Sequence, residues 1–506
     1  MKTVRIVSAC ALRVLAVAAA FFVTHGRAAI AADVRIAPAE LAAIGAVDAR
    51  FQSFNIEMVG VTGGPFWKPY ALETQRSAPV GNDTLFSQRP PIDLTNKSLR
   101  KRAAALSPSL MRVSGTWANT TFFAGSDDTL MRPPAGYRSV LTAHRWREVI
   151  DFSNAVDAPI VTSFAISAPT RDAKGIWEPD VAQRMISATR AVGGNIVATE
   201  LMNEPDLPAI GGAPAGYDAA AFAADFRIFH AFMKKTAPEV LILGPGTAGR
   251  NAEASDLSKA SAFGIDAVSY HYYGALSERC AKGEPADAAL SEEWLSRTEQ
   301  TLTFYRALRD RAAPGKPIWL TETAQAACGG DRWSSTFLDT FRYLDQLGRL
   351  AKAGVQIVMH NTLVGSDYGL LDEETFRPRP NYWAALLWRR FMGEVVLDSG
   401  VPIAQGLHVY AHCQRRMPGG VVLLVINNDA QGSHELMLAA PAARFTLDAE
   451  TLQDSAVRLN GTLLNPDAVD RLSDLAGIAT GPGAMKFAPA TISFMAMPDA
   501  KNRNCN

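Results

Sequence analysis

Strand-like and helix-like segments alternate along most of this chain, and that alternation restricts the fold more than any other feature. Eight short runs read as strands: Phe51–Glu57, Leu110–Ser114, Pro159–Ala165, Asn195–Leu201, Val240–Leu243, Asp266–Tyr270, Pro317–Thr321 and Val355–Asn361. Between them lie stretches with helical apolar spacing, among them Trp146–Val156, Val181–Val192, Phe222–Lys235, Trp294–Arg311 and Phe337–Ala353. Pro159 and Pro317 open two of the runs, where a missing N–H is tolerated. Eight strands with intervening helices predict an α/β fold, a (β/α)8 TIM barrel over residues 51–395.

After about Val395 the texture changes. Leu407–Ala411, Gly420–Asn427, Phe445–Asp448, Ala456–Leu459 and Ala490–Ala496 read as short strands. Turn signals such as Pro418-Gly419-Gly420 and Asn460-Gly461 separate them. They predict an accessory all-β sandwich of residues 396–506, joined by residues 33–50, with Val34–Ile36 as a candidate strand. With 48% hydrophobic and 20% charged residues, the chain has enough apolar surface to fill both cores.

Residues 1–31 read differently. Lys2, Arg5 and Arg13 precede an apolar run from Val14 to Val23, and Ala29-Ile30-Ala31 fits an A-x-A cleavage signal. This is the layout of a secretory signal peptide, so an exported, periplasmic or secreted protein is expected, with no membrane span. Loss of Lys2, Arg5, Arg13 and Arg27 would leave 46 basic against 50 acidic residues, a formal charge of −4. Such a chain has no global attraction for polyanions, so an acidic ligand must be held by local groups. Cys280, Cys328, Cys413 and Cys505 would remain, enough for two disulfides in one of three pairings, or for free buried thiols. Cys280 with Cys328 is the favoured pair, because both fall in loops on one barrel face. Cys413 with Cys505 would then tie the C-terminal region.

Catalytic groups in a TIM barrel sit at the C-terminal ends of its strands. The fourth run ends in Leu201-Met202-Asn203-Glu204-Pro205, where Pro205 stops the ladder. The seventh reads Trp319-Leu320-Thr321-Glu322. Two carboxylates facing each other across the barrel mouth suit glycoside hydrolysis: one protonates the leaving oxygen while the other attacks the anomeric carbon. Retention of configuration requires the two about 5–5.5 Å apart. Glu204 is therefore expected as general acid/base and Glu322 as nucleophile. The sixth run continues through His271-Tyr272-Tyr273, where His271 and Tyr273 are candidates to line the sugar site and Tyr273 to bond the nucleophile. The competing reading of each glutamate is a solvated loop residue. No metal-ligand spacing, phosphate loop or nucleic-acid pattern is present in the sequence, so no metal, cofactor or nucleic-acid partner is expected, and a monomer is.

At these residues the chain resembles glycoside hydrolase family 79, the heparanase and β-glucuronidase family, as a bacterial-type member. Ser53–Glu57, Leu110–Thr116, the Asn203-Glu204 pair, Gly365–Asp372 and Asn381–Gly393 (its final helix) carry the likeness, with the Leu459-Asn460-Gly461 turn beyond them. The resemblance implies that Tyr368 and the backbone of Gly329-Gly330 hold a glucuronate carboxylate. It also implies that Glu57, Thr116 and Asn203 meet sugar hydroxyls and that Asn361 lines the site. The stretch from Phe123 to His144 is short where animal heparanases excise a linker, so activity without such processing is expected. The implied activity is heparanase-like endo-β-glucuronidase action on heparan sulfate or a related glucuronate-containing polysaccharide. The alternatives are an exo-β-glucuronidase, another β-glycosidase of the same clan, and a non-catalytic carbohydrate-binding protein.

Overall fold

The computed structural model describes residues 35–70, 85–125, 132–465 and 476–506, so the expected leader and Val34 lie outside the described residues. A closed barrel of eight parallel strands forms the centre: β1 (Gln52–Glu57), β2 (Met111–Ser114), β3 (Ile160–Ser163), β4 (Ile196–Glu200), β5 (Leu241–Thr247), β6 (Ala267–Leu276), β7 (Ile318–Ala327) and β8 (Ile357–His360). All eight coincide with the runs read from the sequence. The strands are buried almost throughout because helices cover their outer faces, which is why they read as apolar runs rather than alternating ones.

Three strands are longer than expected: β5 runs on to Thr247, and β6 and β7 extend furthest. β6 and β7 stay paired past the rim, with Tyr273 opposite Ala324 and Leu276 opposite Ala327, whereas β8 ends at His360. Glu322 and His271 therefore sit within strands, not at their ends. The barrel still ends at their level, because its other strands stop there, so both side chains reach the mouth.

The chain after Phe391 forms antiparallel sheet. Met392–Leu397, which the sequence reading placed partly in the final helix, is a strand; the helix itself is Pro380–Phe391. Ala43–Ala46, His434–Leu438, Ile478–Thr480 and Gly483–Phe487 are strands that the sequence reading did not pick out. Arg35–Ile36 pairs with His434–Leu438, and Ala43–Ala46 with Met392–Leu397. Val421–Asn427 is buried on both faces. Val421, Leu423 and Val425 pack into a core shared with Ile36, Leu436 and Leu438, while Val422, Leu424 and Ile426 join the barrel's core. Each face of this strand thus holds one layer of the molecule to the next.

A buried ionic cluster reinforces that join. Asp345, on the helix Phe337–Lys352, accepts hydrogen bonds from Tyr410 Oη at 2.6 Å and Arg349 Nε at 2.6 Å, and lies 2.5 Å from His408 Nδ1. Disulfides link Cys280 to Cys328 and Cys413 to Cys505, the favoured pairing. No helix of the described residues is long and apolar enough to cross a membrane.

Candidate active site

β4 ends at Glu200, and the chain then turns through Asn203 and Glu204. Glu204 has φ +47°, a left-handed conformation unusual for a residue with a β-carbon. Asn119 fixes this turn: its Nδ2 donates to the Asn203 carbonyl at 2.8 Å, and its Oδ1 accepts the Asn203 N–H at 2.8 Å. Glu204 and Glu322 converge with His271 so that one atom of each lies within 4.8 Å of the others, the two carboxylates included. Those three could ligate a metal ion, but Arg112 already supplies a fixed positive charge at this point.

Arg112 projects from β2 and is 1% exposed. Its Nη1 donates to Glu322 Oε2 at 2.8 Å, and its Nη2 donates to Glu200 Oε2 at 2.9 Å and to Asn203 Oδ1 at 2.8 Å. The same Nη2 lies 3.3 Å from His271 Nε2. His271 Nδ1 lies 3.0 Å from Glu204 Oε1 and donates to it; burial disfavours the His271 cation, but Glu322 and the bond to Glu204 outweigh burial and raise its pKa. Tyr273 Oη donates to Glu322 Oε1 at 2.6 Å, and Asn361 Nδ2 donates to Tyr273 Oη and to Glu57 Oε1, each at 2.9 Å. Hydrogen bonds thus diverge from Asn361, one to Glu57 and one through Tyr273 to Glu322, linking β7, β6, the end of β8 and β1.

The carboxyls in this pocket are driven apart in acidity. Burial and the charge of Glu322 raise Glu204, against the hydrogen bond from His271. Burial would also raise Glu322, but His271 and Arg112 override it and the net direction is down. Burial, followed by Glu322, pushes Glu57 up to about 8. Glu200 is lowered: burial opposes its charge, and Arg112 and His271 outweigh that. Glu322 and Glu200 are the carboxylates that His271 and Arg112 hold ionised, while Glu204 and Glu57 retain protons to higher pH.

Every residue expected at the site lies at this end of the barrel. Glu57 Oε2 rests against Gly115, whose own β-carbon, if it had one, would lie 1.8 Å from that oxygen. Thr116 follows directly and opens a short 3-10 helix. Tyr368 is buried beside Phe66 and Val59, and His360 Nε2 lies 2.8 Å from its carbonyl oxygen. Gly330 approaches Tyr368 so closely that a β-carbon would sit 3.3 Å from that of the tyrosine. The sequence reading missed Arg112, Glu200 and Asn119 as site residues. A cavity of about 210 Å³ adjoins Tyr273, lined also by Arg250 and Arg297. A larger one, about 350 Å³, lies at the opposite end of the barrel around Arg306, Lys316 and Gly354, away from these groups.

Residues 87–348 match the model of the glycosyl hydrolase family 79 N-terminal domain. Heparanase-like protein 1 of Arabidopsis thaliana is 28% identical over 386 residues, covering 71% of this chain and 68% of that protein. Baicalin-beta-D-glucuronidase of Scutellaria baicalensis is 33% identical over 199 residues, 37% of this chain and 38% of its own length. This chain therefore spans about two thirds of the first relative and under two fifths of the second. Among solved structures, a 4-O-alpha-L-rhamnosyl-beta-D-glucuronidase from Fusarium oxysporum superposes over 92% of this chain and 99% of its own, with a TM-score of 0.62 at 14% identity, a likeness of fold.

Proposed function

This chain belongs to glycoside hydrolase family 79, and on that premise we propose that it is an exported, retaining, heparanase-like endo-β-glucuronidase with Glu204 as general acid/base and Glu322 as nucleophile. The observation that carries the assignment is the approach of the two carboxylates to within 4.8 Å. So close an approach favours direct attack by one of them, for which about 5–5.5 Å separates the carboxyl groups, over an inverting arrangement, which needs about 6.5–9.5 Å.

In this reading Glu204 Oε1 accepts the His271 Nδ1–H while Oε2 presents its proton to the glycosidic oxygen. Glu322 attacks the anomeric carbon, with Tyr273 and Arg112 aiming its two oxygens. When the glycosyl ester forms, Glu322 loses its charge, the pKa of Glu204 falls, and Glu204 takes a proton from the incoming water. Asn203, held by Asn119, offers its Nδ2 beside Glu204 for a sugar hydroxyl.

A uronate is the favoured glycone because Tyr368 and two buried glycines meet where its carboxylate would lie. Gly329 and Gly330 have φ of +86° and +87°, and neither N–H meets an acceptor among the described residues. Successive N–H groups in such a turn form an anion-binding concavity. Endo action draws support from the cavity beside Tyr273, where Arg250 offers a positive charge to an anionic neighbouring residue and Arg297 is held by Glu284 and Glu293. Product analysis on heparan sulfate, beside an aryl β-glucuronide and an aryl β-glucoside, tests the whole reading. Internal cleavage of the polymer is expected. Terminal glucuronate alone would make the enzyme exo-acting, and hydrolysis of the glucoside in preference to the glucuronide would defeat the uronate assignment.

A further inference from the structure

Arg279 lies in the turn after β6, side chain 5% exposed, and reaches into the back of the Cys328–Gly330 turn after β7. Its Nη1 donates to the Cys328 carbonyl at 3.1 Å and to the Gly330 carbonyl at 2.6 Å. Its Nη2 is ion-paired with Asp367, and the guanidinium lies 3.7 Å from the centre of the Tyr70 ring. The carbonyl between those two, that of Gly329, accepts the Asp367 N–H at 3.1 Å. All three carbonyls of the turn are therefore engaged on the side of Arg279 and Asp367. The turn is tied to the Arg279 segment a second time, by the Cys280–Cys328 disulfide.

We propose that Arg279 is a positioning residue for substrate specificity: held behind the Cys328–Gly330 turn, it turns the neutral N–H groups of Gly329 and Gly330 into a receptor for a carboxylate. The inference rests on the uronate reading given above and names the charge that makes it work. The Cys328 carbonyl and the Gly329 N–H belong to one peptide group. A cation bonded to the carbonyl draws electron density from that group and makes its N–H a stronger donor, and hydrogen bonds in such a series reinforce one another in a low-dielectric site. Its positive charge stands behind the turn rather than in contact with a bound anion, with Nη1 on the two carbonyls and Nη2 on Asp367. Space enforces the arrangement. A β-carbon on Gly329 would meet Ser366 Oγ at 2.4 Å and Trp67 Cβ at 2.7 Å, and would lie 3.2 Å from Arg279 Nη1.

The test compares an aryl β-glucuronide with its methyl ester, which has the same size but no charge, in the wild type and in Arg279→Met. To avoid leaving Asp367 buried without its partner, the double variant Arg279→Met/Asp367→Asn is measured alongside, and Arg279→Lys restores the charge. The wild type is expected to prefer the acid to the ester in kcat/KM. The preference should fall about tenfold in both methionine variants, mainly through KM for the acid, and recover in part with lysine. A folded variant lacking Arg279 that keeps the wild-type acid-to-ester ratio would overturn the proposal while leaving the uronate reading intact. A wild type with no preference for the acid would instead defeat the uronate reading itself. Should Arg279→Met fail to fold, the double variant and the lysine variant decide the matter by the same ratio.

Discussion

Arg112 and Glu322 form a buried ion pair, Nη1 to Oε2 at 2.8 Å, and the same guanidinium holds Glu200 at 2.9 Å. Two neighbouring glutamates can take opposite protonation states only if something distinguishes them. His271 and Arg112 together do so: Arg112 lies against Glu322 and not against Glu204, and burial raises Glu204 while His271 and Arg112 override burial at Glu322.

Replacing Arg112 by Met should therefore do more than loosen the fold. A buried pair broken on one side costs about 3–5 kcal/mol, because the remaining charge is left uncompensated. We expect kcat to fall by about two to three orders of magnitude, since the same interaction, beside His271, helps to keep the nucleophile ionised. The acid limb of the kcat/KM profile should move to higher pH. Arg112→Lys should recover only part of the loss, because an ammonium cannot serve Glu200, Asn203 and Glu322 from one plane. Steady-state kinetics across pH check this; an unmoved acid limb would separate Arg112 from the nucleophile.

The pH profile as a whole follows from the same signs. Activity requires Glu322 ionised, with a pKa below its ordinary 4.5, and Glu204 protonated, with a pKa above its ordinary 4.5. The rate should rise with pH through the first value and fall through the second, giving a bell. Glu204→Gln, assayed on a substrate with a good leaving group that needs little protonation, should lose the alkaline limb and keep the acid one. Retention of the alkaline limb in that variant would assign it to another group. Glu57, pushed up to about 8, stays protonated across the expected optimum.

Gly115 is a sensitive position outside the carboxylates. It has φ +90°, and an added β-carbon would fall 1.8 Å from Glu57 Oε2. Gly115→Ala should cost about 1–3 kcal/mol in backbone strain alone. It should also displace Glu57 and so disturb Asn361 and Tyr273. Thermal unfolding together with kcat/KM tests this, with a loss of activity larger than the loss of folded protein as the expected result.

Far from the site, His408 and Asp345 make stability depend on pH in two directions. Burial disfavours the His408 cation, but Asp345 and Glu292 raise its pKa to about 9 from 6.5. A raised pKa contributes stability that is fully present below about pH 6.5 and is lost as pH rises through about 9, a loss of a few kcal/mol. Asp345 is lowered to about 2 from 3.8: burial would raise it, and His408 and Arg349 prevail. Its contribution is present above about 3.8 and disappears as pH falls towards 2. In His408→Leu the fall of Tm between pH 6.5 and 9 should be smaller than in the wild type; an equal fall would place the alkaline sensitivity elsewhere.

The barrel was legible because strands covered by helices must be apolar throughout and helices between them must carry a one-sided apolar stripe. Glu204 and Glu322 were legible because Pro205 marks a strand end and the seventh run places a glutamate at the same level. The lengths of β6 and β7 were not: Tyr272 to Leu276 and Thr323 to Ala327 pair with each other above the rim, a tertiary choice with no local mark. Arg112 was open to recognition, since an arginine amid Leu110-Met111 and Val113 in a buried strand must have a buried partner. Arg279 was not. Its place behind Gly329-Gly330 depends on two loops being joined, and nothing in its own neighbourhood of the sequence distinguishes it from a solvent-exposed arginine. The strands His434–Leu438 and Gly483–Phe487 escaped notice because their outward positions are polar or small and dilute the apolar signal.

The central claim, that the side chain at position 322 forms the bond to the sugar, is open to one direct measurement. A 2-deoxy-2-fluoro-β-glucuronyl fluoride slows breakdown of a glycosyl-enzyme ester more than its formation, and peptide mapping by mass spectrometry then finds the labelled residue. The account predicts a single label on the peptide containing Glu322, absent from Glu322→Gln. A label on any other residue, or turnover of the reagent with inversion and no labelled peptide, would contradict it.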